Sequence, residues 1–180
     1  MKMKTCISML LMIFLVSIGY AQIDQEKSLE LQTEAKEIKT ELLQTDPSMA
    51  SFFDKSAGYV IFPTVGKGGF IVGGAYGKGV VYDNGMYVGT AELKQLDVGL
   101  QAGGKAYTEI VFFETEKALE NFKNDKFELS AEVSAIAIKT GVAKKAQFEN
   151  GVAVFVHQKG GLMAEATIGG QKFNFHPENM

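Results

Sequence analysis

Hydrophobic positions along this chain change their period sharply near residue 56. From Gln22 to Thr45, Leu31, Ala35, Ile38 and Leu42 recur at steps of four, three and four, while Glu30, Glu34, Glu37, Glu41, Lys27, Lys36 and Lys39 fill the intervening positions. That spacing predicts one amphipathic helix ending near Asp46-Pro47. A short helical turn from Ser48 to Lys55 would carry Met49, Phe52 and Phe53 inward. After Ser56 the period becomes two. Phe70, Val72, Tyr76, Val80 and Tyr82 alternate with Gly69, Gly73, Ala75, Gly77 and Gly79, which predicts strands with one bulky face and one nearly bare face. A bare face implies curvature in a small barrel-like sheet, close approach of another backbone, or a ligand lying on the sheet.

Asn84-Gly85, between Val80-Val81-Tyr82 and Met86-Tyr87-Val88, predicts a tight hairpin, because both turn positions tolerate positive φ. Val98, Leu100, Ala102, Ala106, Thr108 and Ile110 alternate with Asp97, Gln101, Lys105, Tyr107 and Glu109. This reads as one long strand, or two joined at Gly103-Gly104, with the second set on a wet face. Thr115 to Asn124 is read as a helix with Ala118, Leu119 and Phe122 inward, and Ser130 to Ile138 as strand in preference to helix. Strands follow over Val152 to His157, Leu162 to Ile168 and Phe173 to His176, separated by glycine turns. The fold class is therefore α+β: a curved, antiparallel, barrel-like, Gly-rich sheet with an N-terminal amphipathic helix and one inserted helix.

Ahead of all this, Lys2 and Lys4 precede an apolar run from Ile7 to Ile18, and Gly19-Tyr20-Ala21 places small residues at −3 and −1. Residues 1–21 read as a secretory signal peptide cleaved after Ala21; the run is shorter than the ~20 residues a membrane-spanning helix needs. Residues 22–55 form the N-terminal helical segment and 56–180 the main domain. Cleavage would remove Cys6, the only cysteine, and leave 16 Lys against 21 acids, a net charge of −5. A disulfide framework and general attraction to an anionic surface are both unexpected for such a product.

Composition narrows the chemistry further. The 180 residues suffice for one domain with a core. All 18 basic residues are Lys, so any anion site must use ammonium groups and backbone N–H rather than the bidentate Arg fork. Gly99 to Lys105 matches the spacing of a phosphate loop, but Ala106 follows where a Mg²⁺-holding hydroxyl belongs, and the continuation reads as strand. Nucleotide and nucleic-acid partners are not expected. His157 and His176 lack metal-ligand spacing, and no Ser sits in a G-x-S-x-G setting. Neither an enzyme, a metal nor a cofactor is expected. What remains is lysine embedded in glycine: Lys67, Lys78 and Lys105, with Lys159 before Gly160-Gly161. Glycine frees backbone N–H groups to form a concavity, and an ammonium adds charge, which suits a phosphate or headgroup. Phe62, Phe70 and Tyr76 would supply apolar contact.

At these residues the chain resembles a known family. Ala57-Gly58-Tyr-Val-Ile-Phe62-Pro63, Gly66-Lys67-Gly-Gly-Phe70, Gly73-Gly74-Ala-Tyr76-Gly77-Lys78-Gly79, Val98-Gly-Leu-Gln-Ala-Gly103-Gly104 and the run Ile110 to Asn121 look like the SYLF domain, also called the Ysc84-like or DUF500 family. The resemblance runs from about Ala57 to the C-terminus. It implies a lipid-binding module: phosphoinositide binding in eukaryotic members, some of which bind actin, and export in bacterial members. It also implies a membrane role for an N-terminal amphipathic helix, which brings Leu31, Ile38, Leu42, Phe52 and Phe53 into view. Family members often carry Arg where this chain has Ala75. Actin is not expected as a partner of an exported protein. The expected function is thus an exported, non-catalytic phospholipid-binding protein, in the periplasm, secreted, or peripheral to the outer membrane. A structural envelope or protein-interaction module is the alternative.

Overall fold

The computed structural model describes residues 25–69, 72–98, 105–129, 133–159, 168 and 170–178. The signal-peptide segment, Phe70, the phosphate-loop-like stretch through Gly104 and the strand expected over 162–167 lie outside them. A helix, α1, covers 25–45; a 3-10 turn at Pro47–Met49 leads into α2, Ala50–Lys55. Four strands follow, β1 Gly58–Gly69, β2 Val72–Asp83, β3 Met86–Val98 and β4 Lys105–Phe113, and then α3, Glu116–Lys123. The chain ends with β5 Ala135–Ala137, β6 Val152–Gln158 and β7 Lys172–Pro177.

Local chemistry accounts for the joints. Asn84 and Gly85 both have positive φ, 48° and 79°, as the two-residue hairpin turn between β2 and β3 requires. Asn150 and Gly151, at 52° and 80°, repeat that turn ahead of β6. Thr115 caps α3 by accepting a hydrogen bond from the Ala118 amide at 3.2 Å. Pro47 starts the 3-10 turn, where its missing N–H has no partner to lose, and Asp46 caps it.

The strands form one seven-stranded sheet in the order β5-β6-β4-β1-β2-β3-β7. Neighbours are antiparallel except β5 and β6, which run parallel, so the sheet is mixed where the sequence pattern implied antiparallel throughout. Of the segment expected as strand over Ser130 to Ile138, residues 130–132 lie outside the described residues, and among the rest Ala135–Ala137 are strand. The segment also explains the curvature. Glu128 bridges Lys172 beyond the β7 edge, and Ala135 already pairs with Val154 at the opposite edge. Six residue steps from Leu129 reach at most about 21 Å, whereas seven flat strand spacings would measure about 34 Å. The sheet must therefore curl until its edges approach.

Curling gives the sheet an inner and an outer face, each with its own core. On the inner face, Val60, Phe62, Val65, Tyr107, Val111, Phe113 and Phe173 enclose Leu119 and Phe122 of α3. On the outer face, α1 and α2 lay Ala35, Leu42, Met49 and Phe52 over Tyr59, Ile61, Val80, Ile110, Phe112 and Phe155. The alternation in β2 is as the sequence implied, with Gly77, Ala75 and Gly79 turned inward. The space they leave is taken by the chain itself: a Cβ on Gly79 would sit 2.6 Å from the Phe62 ring, and one on Gly77 would sit 2.9 Å from Val65. The bare lane is what lets Phe62 lie flat inside the curl.

β4 corrects a second expectation. Tyr107 and Glu109, assigned to a wet face by alternation, are 1% and 0% exposed. β4 lies between β1 and β6 and is covered on both sides, so both sets of side chains are internal. Nor do β3 and β4 continue one another: they are separated in the sheet by β1 and β2.

Candidate functional site

The structure divides the expected lipid-contacting residues among three places. Phe62 is fully buried, 5.8 Å from the Phe173 ring, and belongs to the inner core instead of a ligand surface. Lys67 pairs with Ala75 in the β1–β2 register and faces inward, where its charge acts on Glu109. Lys78 pairs with Thr64 and Tyr76 with Gly66, and both are exposed on the outer face. A two-residue period puts Lys67 and Lys78 on opposite sides of the sheet, so they do not form one cradle. The backbone of Lys105 pairs with that of Lys67. Phe70 is outside the described residues.

The membrane-helix candidates are largely committed to packing. Leu42 is 1% and Phe52 5% exposed, and Leu31, Ile38 and Phe53 are partly buried against the same outer core. Phe52 meets Phe155 edge to face at 4.9 Å, and Phe53 meets Tyr59 at 4.9 Å. Lys39 donates to the Tyr59 hydroxyl at 3.0 Å and sits 4.3 Å over the Phe53 ring. Burial lowers its pKa, with nearby Asp54 opposing. Ser28 and Tyr87 are hydrogen-bonded at 3.0 Å, tying the start of α1 to β3.

Towards the ends of β2 and β3 that lead to the β1–β2 and β3–β4 connections, the outer face exposes large apolar side chains among the described residues. Leu96 is 86% exposed and Tyr76 45%, two of four large hydrophobic residues so exposed among the described residues. Lys78, Lys94 and Lys172 are exposed beside them, and Lys159 donates to Thr64 Oγ1 at 2.8 Å. Strand register places them together: Tyr76 opposite Lys94, Lys78 opposite Glu92, and Lys94 opposite Lys172. Glu92 organises the patch, accepting from Tyr76 Oη at 3.1 Å and pairing with Lys94 Nζ at 2.7 Å. The Lys94 hydrogen bond is the main cause that holds the Glu92 pKa below its usual value. Leu96 was not singled out by sequence reasoning, although it shares the strand parity of Glu92 and Lys94, opposite to buried Ala91 and Leu93.

Two buried carboxylates were also missed. Asp46, 2% exposed, accepts from the Ser48 hydroxyl at 2.6 Å and amide at 3.1 Å, and from the Ala143 amide at 3.0 Å. Burial alone would raise its pKa; these hydrogen bonds and one from Gly141 hold it at about 2. On the inner face, Glu109 accepts from Gln171 Nε2 at 2.9 Å, and the same Nε2 lies 3.4 Å from Gln95 Oε1. Burial raises the Glu109 pKa to about 7, against the opposing influence of Gln171, Tyr107 and Lys67.

Partly buried His157 has its Nε2 3.8 Å from Oε1 of exposed Glu41, beside a shallow groove lined by polar residues of α1. Among the described residues no group of three or more His, Cys, Asp or Glu could hold a metal, and no helix is long and apolar enough to cross a membrane.

Comparison with known proteins agrees with the resemblance. The chain is 28% identical over 151 residues to Beta cell expansion factor A of Aeromonas veronii, an alignment covering 83% of this chain and 57% of that protein. The chain thus spans little more than half the length of this relative. The model of the Ysc84 family, described as Las17-binding protein actin regulator, matches residues 94–178, from the end of β3 through β7. That family is not a known enzyme family. Residues 94–178 are therefore similar to the Ysc84 (SYLF) family.

Proposed function

We propose that this chain is an exported, non-catalytic lipid-binding protein that docks on a phospholipid surface through the exposed end of its outer sheet face. The observation that carries this reading is the exposure of Leu96 and Tyr76 side by side with Lys78, Lys94 and Lys172. Apolar side chains flanked by ammonium groups match the layering of a bilayer interface, where acyl chains lie beneath phosphates. Burying Leu96 and the Tyr76 ring contributes about 2–3 kcal/mol. Similarity to the Ysc84 family supports the same direction. The binding element is this sheet patch rather than the glycine lane, which Phe62 and Val65 occupy, or the apolar stripe of α1, which faces the outer core.

Flotation with vesicles of mixed phosphatidylglycerol and phosphatidylcholine tests the reading. The purified protein is expected to float, the Leu96→Glu/Tyr76→Ser variant to lose at least about tenfold in partitioning, and Lys78→Glu/Lys94→Glu to lose binding mainly on anionic vesicles. Absence of flotation on every vesicle, or equal flotation of all variants, would overturn it. Export is checked separately, by finding Gln22 at the N-terminus of protein recovered from the periplasmic or culture fraction.

A further inference from the structure

The inner face holds a polar group set that packing alone does not explain. Gln171 Nε2 donates to Glu109 Oε2 at 2.9 Å. The remaining oxygen of each group, Glu109 Oε1 and Gln171 Oε1, is fully buried with no donor at hydrogen-bond geometry among the described residues, although the Tyr107 hydroxyl also acts on the Glu109 carboxyl. Two buried acceptors on two groups already joined by one hydrogen bond are an expensive arrangement if the carboxyl is ionised. One proton resolves both. A neutral carboxylic acid faces a primary amide through a two-bond ring, N–H to carbonyl oxygen and O–H to amide oxygen, which satisfies Oε1 of both residues.

Position makes this pair consequential. Glu109 is on β4 and Gln171 immediately precedes β7, four strand spacings away in the sheet order, about 19 Å if the sheet were flat. The hydrogen bond therefore spans four strand positions across the interior of the curl. Gln171 also anchors the crossover: its carbonyl accepts from the Leu129 amide at 3.2 Å, and the adjacent Gly170 amide donates to Leu129 O at 2.9 Å.

We propose that Glu109 and Gln171 form a proton-operated clasp that holds the β7 edge and the 128–129 crossover against the centre of the sheet, closed when Glu109 is neutral and loosened when it ionises. Among the described residues, the titratable groups facing Glu109 are Lys67 from β1 and Tyr107 from its own strand, with the neutral amide of Gln95 from β3 alongside. The Gln171 amide, the Tyr107 hydroxyl and the Lys67 ammonium all favour the carboxylate; complete burial opposes them, and ionisation removes the O–H that would reach Gln171 Oε1. The clasp would make the edge of the curl sensitive to pH near neutrality. It stands independently of lipid binding.

The test uses the whole purified protein. Carboxyl ¹³C shifts of Glu109 are followed from about pH 5 to about pH 8.5, with hydrogen exchange at the Leu129 and Gly170 amides corrected for intrinsic rates. Glu109 is expected to titrate near neutrality, and protection at both amides to fall by up to about a hundredfold across that titration. Glu109→Gln, which replaces the acid by a permanently neutral amide, should make protection independent of pH; Gln171→Met should lower it at every pH. The proposal is overturned if Glu109 is already ionised at about pH 5, or if either variant exchanges as the parent protein does.

Discussion

The two faces of this sheet bury one carboxylate each and treat it in opposite ways. On the outer face Asp46 lies at the seam between α1, α2 and the 141–143 turn, surrounded by donors: the Ser48 hydroxyl and three backbone N–H groups. It stays charged, at a pKa of about 2. On the inner face Glu109 is completely buried with the Gln171 amide and the Tyr107 hydroxyl beside it and no backbone N–H, and its pKa rises to about 7. Burial alone does not decide the charge of a carboxyl; the number of donors that accompany it does. A seam between elements supplies unpaired backbone N–H groups, whereas the middle of a strand has spent its own on the sheet.

The largest expected effect separates core from patch. Phe62→Ala removes a fully buried ring from the glycine lane and should cost about 4 kcal/mol, whereas Tyr76→Ala on the exposed outer end should stay within about 0.5 kcal/mol. Urea unfolding of both variants measures the contrast; equal losses would mean that the outer end is packed in solution.

Next comes the carboxylate comparison itself. Folded Glu109 binds its proton more tightly than the unfolded chain does, so its contribution is fully present below about pH 4.5 and is lost as pH rises to about 7. Glu109→Gln should therefore raise stability at neutral pH by up to about 3 kcal/mol and leave it nearly unchanged in acid. Asp46 has the opposite sign. Its contribution is present above about pH 3.8 and disappears as pH falls to about 2. Asp46→Asn should cost about 2 kcal/mol at neutral pH and progressively less in acid, read from the same unfolding curves across pH. A parent protein whose stability rises between pH 4.5 and 7 would contradict the Glu109 assignment.

The smallest expected effect on stability, within about 0.5 kcal/mol, belongs to Leu96→Glu. Its consequence is on membrane partitioning instead, and a melt that shifts by several degrees would place Leu96 in a contact the fold does not show.

The amino-acid pattern alone determined the helix through residue 45, the cap at Thr115, the turn started by Asp46-Pro47, the Asn-Gly hairpins and the alternation of bulky and bare positions in β2. Those features follow from neighbours a few residues apart: helical period, pleat and turn dihedrals. The family likeness was legible for the same reason, since it rests on ordered local motifs. The tertiary structure decided which strands lie in the middle of the sheet and how far it curls. Centrality buried Glu109, which alternation had placed in water, although the unbroken apolar run Ile110 to Phe113 beside it is the mark of a strand covered on both faces. Curling brought Gln171 across to Glu109 and turned Lys67 away from Lys78. Such pairings depend on strand order, and strand order is fixed by contacts between residues far apart in the chain. The same non-local packing set Leu96 and Tyr76 on the exposed part of the outer face, apart from the core over which α1 and α2 lie.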